Sequence, residues 1–287
     1  MMPRQTLLTG PVLGGLVASM LSVTTLLYLI HDREVKEWRV ANTSQHVGYW
    51  PAPSGDFNWC ENDYVYLPHV AELWNTVTSL CFCVGPALLW RRTRDWEVRF
   101  NLLMLVGIGL GSAVFHATLQ YYAGQLLDEL PMLFYVAHTT ALLVRGDMSC
   151  PPWLKGCMVS LVLVLYGTAR EHPLHQAGRL VMVLSFSACF VWLAFSLAKI
   201  VIEIDRRLGG DHARRRYEQA ALAVLLAIAS WTVDNLACGA LHSLRWLPYP
   251  QLHASVWHTG MAFVTYALSE AVVLLRGSAQ APREKIR

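Results

Sequence analysis

Long apolar runs, separated by short polar segments, follow one another along most of this chain. Each run approaches or exceeds the ~20 residues that an α-helix needs to cross a bilayer. One run covers about 7–30, and seven more cover about 70–90, 100–119, 126–144, 153–169, 180–200, 220–241 and 252–275. The pattern predicts an all-α polytopic membrane protein, a seven-helix transmembrane bundle preceded by one extra N-terminal helix.

The runs divide the chain into four segments. They are an N-terminal hydrophobic helix or signal anchor (1–30), a polar connector (31–67), the seven-helix membrane domain (68–276) and a polar tail (277–287). The first run is longer than the 7–15-residue core of a signal peptide, and no small-x-small cleavage site closes it. These features favour a retained helix over a cleaved signal peptide.

Composition agrees with a membrane protein. Hydrophobic residues make up 54% of the 287 residues and charged residues only 15%, whereas soluble domains carry about 25% charged residues. The net charge of +3 is spread over the loops. This distribution argues against a nucleic-acid partner.

The lysines and arginines also predict an orientation. Most of the 23 lie in the loops on the side of the C-terminus, and positively charged loops stay in the cytoplasm. The C-terminus is therefore predicted to be cytoplasmic, and the connector lumenal or extracellular. Cys60 and Cys238 both fall on the connector side, where disulfides persist, so a bond between them is a hypothesis.

Polar groups inside the apolar runs cluster at one depth, toward the connector side. Ser112, His116, Asp128, His253 and His258 belong to this set, and ionisable groups in a membrane span point to function. Three imidazoles and a water form the open coordination of catalytic zinc, and the adjacent carboxylate is placed to take the proton of that water. The serine, one helical turn before the first histidine, could hydrogen-bond the water or an oxyanion. The alternatives are packed core histidines, a helix N-terminal carboxylate and a serine at a helix contact.

A second polar cluster lies at the end of the connector. Carboxylates, an amide and backbone carbonyls at short spacing suit calcium, although the loop lacks the EF-hand pattern. A solvated acidic turn before a helix is the alternative. The residues concerned are Asn58, Trp59, Glu61, Asp63 and Glu72.

Six short blocks resemble the alkaline ceramidase family and occur in that family's order. They are NWCENDY (58–64), AELWNT (71–76), GSAVFHATL (111–119), QLLDELPM (125–132), WTVDNLAC (231–238) and LHASVWH (252–258). The resemblance covers about 49–275. It implies a seven-helix, zinc-dependent amidase of the endoplasmic reticulum or Golgi, with the plasma membrane as an alternative. Such an enzyme cleaves ceramide, phytoceramide or dihydroceramide to a sphingoid base and a fatty acid.

The resemblance also assigns roles to individual residues. It places Zn²⁺ on three histidines and Ca²⁺ on the connector cluster. The zinc ligands implied are His116, His253 and His258, the acid/base is Asp128, the assisting residue is Ser112, and the calcium ligands are Asn58, Trp59 through its carbonyl, Glu61, Asp63 and Glu72.

The chain departs from the family pattern at three places. The amide and the carboxylate at Asn58 and Asp63 are exchanged, which keeps the carboxylate count, and the segment from His116 to Asp128 is one residue longer. His253 and His258 are five residues apart instead of four. At ~3.6 residues per turn, five residues rotate one ring by about 140° from the other. Both rings can bind one metal only if regular helix begins after the first of them, or if a π-bulge absorbs the extra residue.

Two other functions remain open from the sequence. One is a seven-helix receptor of the adiponectin-receptor type with a related zinc site. The other is a transporter that uses Asp128 and Asp234 as coupling groups. The blocks NWCENDY and AELWNT favour the ceramidase over the receptor. The lack of paired halves with broken helices argues against the transporter.

Overall fold

The predicted fold class is confirmed. The computed structural model describes residues 48–145, 151–208, 211–243 and 252–280. From Leu73 onward the described residues are mainly helical, and the described ranges contain no β-strand. The predicted N-terminal helix at 1–30 lies outside the described residues, as do residues 281–287 of the predicted tail.

Seven long helical segments coincide with the seven apolar runs that follow the connector. The first is α-helical at Leu73–Ser79 and Val84–Leu89, with 3₁₀ turns at Leu80–Cys83 and Trp90–Arg92. The elements are α1 (Leu73–Arg92), α2 (Trp96–Thr118), α3 (Leu126–Arg145), α4 (Pro152–Gly167), α5 (Pro173–Leu208), α6 (Asp211–Leu236), the short α7 (Cys238–Ser243) and α8 (Thr259–Gln280), with π-helical turns at Tyr121–Gln125 before α3 and His253–His258 before α8.

Several helices have the length and composition of membrane spans. Within the described residues, four helical segments are long and apolar enough to cross a bilayer: Leu73–Arg92, Trp96–Thr118, Arg215–Leu236 and His253–Arg276. Pro152–Gly167 is apolar but shorter. Large apolar side chains such as Leu163 and Leu184 are 67% and 60% exposed on the outside of the bundle, as lipid-facing residues are. The chain is an integral membrane protein.

Five helices meet in the main apolar core. One buried cluster contains Phe82 from α1, Leu105 from α2, Tyr135 from α3, Ile228 from α6 and Leu268 from α8. Leu105 has no exposed surface and the others are at most 6% exposed. This core holds the ends of α1, α2 and α8 in fixed relative positions, and those ends carry the polar residues of the candidate site.

The connector folds over one end of the bundle. Its Ser54 and Gly55 amides donate to the carbonyl of Leu119, at 3.1 and 2.9 Å. Leu119 ends α2 in the left-handed conformation, with φ of 54°. The amide of Glu72 donates to the carbonyl of His116 at 3.0 Å. These bonds satisfy backbone carbonyls that the end of a helix leaves without an intrahelical partner, and they lay the connector against the site.

Candidate metal centre

Three buried histidines from two parts of the chain converge beneath the connector. His116 lies in the last turn of α2, whereas His253 and His258 lie at the two ends of the π-helical turn that precedes α8. Each is at most 3% exposed. One ring nitrogen of each lies within 4.8 Å of the others. The structure therefore brings together all three histidines that the sequence singled out, in a group that could hold a metal ion.

A π-helical turn explains how histidines five residues apart share one face. Hydrogen bonds in a π-helix join residues five apart, so the first and last residues of the turn lie above one another. The turn covers His253–His258, and the two ring centroids are 4.5 Å apart. Of the two arrangements that the sequence left open, the structure has the π-bulge.

The extra residue between His116 and Asp128 also coincides with a π-helical turn. This turn covers Tyr121–Gln125. A Cβ at Gly124 would lie 2.7 Å from the Cα of Phe115, so the turn packs directly on the backbone of α2. Each of the two length differences from the family pattern is thus accommodated locally, next to the histidines.

A serine and an aspartate lie beside the three rings. Ser112 is one turn before His116 on α2, and its side chain lies beside the carboxylate of Asp128 in the first turn of α3. The hydroxyl of Ser79 lies 3.0 Å from that of Ser112. The Oδ1 atom of Asp128 is buried and has no hydrogen-bond partner among the residues described. A buried carboxylate oxygen in this state calls for a water or a ligand.

The Nδ1 atom of each ring, called here its outer nitrogen, lies within hydrogen-bond distance of a residue at the start of α1. Residues on one face of that helix contact the Nδ1 atom of one ring each. The pairs are Glu72 with His116, Asn75 with His253 at 3.1 Å, and Thr78 with His258 at 2.8 Å.

The residues of the candidate calcium cluster also lie together. The amide nitrogen of Asn58 donates to Asp63 at 3.1 Å, and the backbone amide of Trp59 donates to Glu72 at 2.9 Å. The Oδ1 atom of Asn58 is buried without a hydrogen-bond partner within the described ranges. The cluster therefore offers a buried amide oxygen that a hard cation could bind.

The side chain of Glu61, a connector residue, caps the N-terminal end of α1. Its two carboxylate oxygens accept the backbone amides of Trp74 and Asn75, at 2.7 and 2.9 Å. Burial raises the pKa of Glu61 to about 7 despite these bonds. Burial, followed by the charges of Asp63 and Glu61, raises the pKa of Glu72 well above its usual value. A divalent cation among these carboxylates would relieve their desolvation and mutual repulsion, so their chemistry suits one.

The connector is joined to the last π-helical turn and to α6. The ring of Trp59 stacks on that of His253, with centroids 3.6 Å apart. The carboxylate of Asp234 accepts the backbone amides of Cys60 at 3.0 Å and His253 at 3.4 Å. Cys60 and Cys238 form a disulfide with a Cα–Cα distance of 5.4 Å. Asp234 thus has a structural role, because it holds the connector against the π-helical turn of the candidate metal centre.

The comparisons with known proteins identify the family. The model of the ceramidase family matches residues 52–286. The chain belongs to the ceramidase family. Relatives include mouse alkaline ceramidase 3, which is 31% identical over 77% of this chain and 84% of its own length. Yeast (Saccharomyces cerevisiae) alkaline ceramidase YPC1 is 36% identical over 77% of each chain, and human alkaline ceramidase 1 is 27% identical over 76% of this chain and 84% of its own.

Family membership confirms the resemblance that the six sequence blocks indicate. The match runs from the connector almost to the C-terminus, so it includes every candidate site residue. It favours the ceramidase interpretation over the receptor and the transporter that the sequence left open.

The two adjacent carboxylates at the start of α3 have different surroundings in this ceramidase-family chain. Glu129 forms an ion pair with Arg179 of α5 and accepts a hydrogen bond from Gln125 at 2.8 Å. Arg179 also contacts Asp56 of the connector at 2.8 Å. Asp128 instead contacts Ser112 and keeps one oxygen without a partner in the described part of the chain. The acid/base role suits Asp128, and the structural role suits Glu129.

Sequence reasoning missed three polar residues of α1 that contact the site. Asn75, Thr78 and Ser79 touch His253, His258 and Ser112 respectively. A signal was present, because polar residues at 72, 75, 78 and 79 follow one helical face in an otherwise apolar run. Such residues in a membrane helix also serve helix packing, so the signal did not by itself indicate a metal site.

Proposed function

We propose that this protein is a hydrolase that cleaves the amide bond of ceramide, or of phytoceramide or dihydroceramide, to a sphingoid base and a fatty acid. The observation that carries the proposal is the convergence of three buried histidines beside the Ser112–Asp128 pair in a chain of the ceramidase family. Relatives in that family are alkaline ceramidases by name. The apolar outer surface suits a substrate that arrives from the bilayer.

Zinc fits the three histidines. Their rings are buried and converge. The outer nitrogen of each ring is hydrogen-bonded to a residue of α1 or to the residue before it, and metal-binding imidazoles usually have a hydrogen-bond partner at that nitrogen. Zinc bound by three imidazoles lowers the pKa of a water to about 7 and polarises a carbonyl. The ligands proposed are His116, His253 and His258.

Asp128 acts as the general acid and base. Its oxygen without a protein partner accepts a proton from the attacking water, and the same carboxyl group then gives a proton to the amine nitrogen as the C–N bond breaks. While the carboxylate is ionised, the hydroxyl of Ser112 donates to it. Protonation weakens that bond, which frees the hydroxyl to donate to the oxyanion that forms from the amide carbonyl.

Calcium is the proposed occupant of the connector cluster. Its ligands would be Asn58, Asp63, Glu61, Glu72 and the carbonyl of Trp59. The buried amide oxygen of Asn58 and the desolvated carboxylates support this choice. Because Glu72 and Trp59 also contact His116 and His253, a cation held there would steady the connector against the zinc ligands.

The proposed location is the endoplasmic reticulum or Golgi membrane, with the plasma membrane as the alternative. The arginines at the end of the bundle opposite the connector, such as Arg91, Arg92 and Arg276, support a cytoplasmic C-terminus. The connector and the metal centre would then face the lumen.

Turnover of ceramide by the detergent-purified protein tests the proposal. Release of sphingoid base is expected, and His116→Ala and Asp128→Asn should each lower it at least about 1,000-fold, because metal and proton transfer act on the same step. A strong chelator should abolish turnover, zinc should restore it, and calcium added afterwards should raise it further.

The matched control is His69→Ala. His69 is an exposed histidine of the connector, so its loss should leave turnover unchanged. Full activity of Asp128→Asn would overturn the assigned base. Protein that contains no zinc by elemental analysis, yet hydrolyses ceramide, would overturn the metal.

A further inference from the structure

We propose that one face of α1 sets the tautomer of all three histidines, so that zinc binds through the Nε2 atom of each ring. This inference rests on the zinc site proposed above and adds the residues that make it. They act through the histidines and are positioning residues. The positioning residues are Glu72, Asn75 and Thr78.

The spacing of these residues lets one short element reach three separate rings. Residues three apart in a helix lie on the same side, and 72, 75 and 78 follow that spacing along the first α-helical part of α1, Leu73–Ser79, and the residue before it. Glu72 and Asn75 are at most 1% exposed. The face is therefore enclosed and directed at the rings.

The hydroxyl of Thr78 must accept from His258. A hydroxyl carries one proton, and the carbonyl of Trp74, one turn earlier on α1, lies 2.8 Å from this oxygen and takes it. The other carbonyl in reach, that of Asn75, is at 3.4 Å. The Nδ1 atom of His258, at 2.8 Å, then has to donate. A neutral ring protonated at Nδ1 has its lone pair on Nε2.

The amide of Asn75 is oriented by Glu72. Its nitrogen donates to the Glu72 carboxylate at 3.3 Å, and its Oδ1 atom lies 3.1 Å from Nδ1 of His253. The reverse orientation would set the amide oxygen against a carboxylate oxygen, which is repulsive. An amide oxygen can only accept, so His253 is also protonated at Nδ1.

The third ring follows the same rule. With calcium held in the connector cluster, as proposed above, Glu72 is ionised, and its carboxylate, which contacts Nδ1 of His116, can only accept. All three outer nitrogens therefore carry protons, and the nitrogens that converge are the Nε2 atoms. Partners of this kind fix ring orientation, and their loss typically lowers metal affinity 10- to 100-fold.

Thr78→Val tests the inference by zinc affinity, measured in competition with a chromophoric chelator. This variant keeps the shape of the side chain and removes the acceptor, so a 10- to 100-fold loss is expected. Thr78→Ser should restore affinity. The matched control is Thr76→Val, because Thr76 makes the same kind of bond to a backbone carbonyl, that of Glu72 at 2.6 Å, and makes no hydrogen bond to the three histidines in the described part of the chain. Wild-type affinity in Thr78→Val would overturn the inference.

Nitrogen NMR of the wild-type protein tests the tautomers without any variant. With ¹⁵N-labelled histidine and bound zinc, three rings should show a protonated Nδ1 and a metal-bound Nε2. One ring bound through Nδ1 would contradict the inference. The expected spectrum without ceramide turnover would reject the proposed function alone, whereas turnover with a different spectrum would reject the tautomers alone.

Discussion

At the scale of single residues, the site depends on how closely two backbones approach. A Cβ at Gly111 of α2 would lie 2.1 Å from the carbonyl oxygen of Leu127 and 2.9 Å from the amide nitrogen of Asp128. Both atoms belong to the backbone of α3, which cannot turn aside as a flexible side chain would. Only glycine therefore lets Ser112, the next residue, meet Asp128.

Gly111→Ala should consequently disable the enzyme. The added methyl group forces α2 and α3 apart, and a shift of about 1 Å in a catalytic contact can cost about 100-fold in rate. We expect ceramide turnover to fall by at least that factor while the protein stays folded, as judged by gel filtration and helical circular dichroism.

Gly107→Ala, one turn earlier on the same helix, is the matched control for Gly111→Ala. Its Cβ would lie 3.4 Å from the ring of Pro131, close to an ordinary contact. Turnover of this variant should stay near that of the wild type. Equal activity of the two variants would show that the close approach at Gly111 is not needed.

At the scale of elements, the helices were more predictable than their turns. Each of the seven runs after the connector is apolar over a length close to a membrane span, and such runs have few alternatives to a helix. The five-residue spacing of His253 and His258 predicted either a late helix start or a π-bulge, and the structure has the π-helical turn. The spacing alone could not choose, because packing against neighbouring helices decides it.

The polar face of α1 shows a second limit of prediction. Thr78 and His258 are 180 residues apart in the chain, and nothing near either residue reveals the other. A threonine in a membrane helix most simply bonds its own backbone, which Thr78 also does. Its contact with a histidine ring exists only because α1 and α8 share a core.

The π-helical turn before α8 can be tested by changing its length. Deletion of Ser255, an exposed residue inside the turn, would leave the two histidines four apart, which an ordinary α-helix places on one face. We therefore expect this variant to retain zinc, measured as metal per protein after dialysis. Insertion of one alanine beside Ser255 is the opposite change.

The insertion should lose zinc. It would set the two histidines six residues apart. In an α-helix this spacing rotates one ring by about 120° from the other. A folded deletion variant without zinc would contradict the view that the π-helical turn serves to align the rings. Retention of zinc by both variants would contradict it as well.

At the scale of the whole molecule, polar groups occupy the two ends of an apolar bundle. The end opposite the connector is closed by ion pairs such as Arg276 with Asp95 at 2.5 Å, and Arg92 with Glu270 at 3.4 Å. The connector end holds the candidate metal centre and is covered by the connector, which lies outside the long helices. We therefore expect the attachment of the connector to the bundle to affect how firmly the proposed zinc ligands are held.

A disulfide is the covalent part of that attachment. It joins Cys60 of the connector to Cys238, 178 residues later, and links across long loops typically stabilise the folded state by about 2–4 kcal/mol. Cys60→Ser with Cys238→Ser should lower the thermal unfolding midpoint by roughly 5–10 °C. The double variant should also release zinc at lower chelator concentration than the wild type, since Trp59, next to Cys60, stacks on His253.

Cys157→Ser supplies the comparison for that experiment, because Cys157 is an exposed free cysteine of α4. Both its midpoint and its zinc retention should equal those of the wild type. A reducing agent should lower the wild-type midpoint toward that of the double variant and leave the double variant unchanged. If the double variant loses stability but holds zinc as tightly as the wild type, the disulfide supports the fold alone. The zinc ligands would then be held by α1 and Asp234 without help from the covalent link.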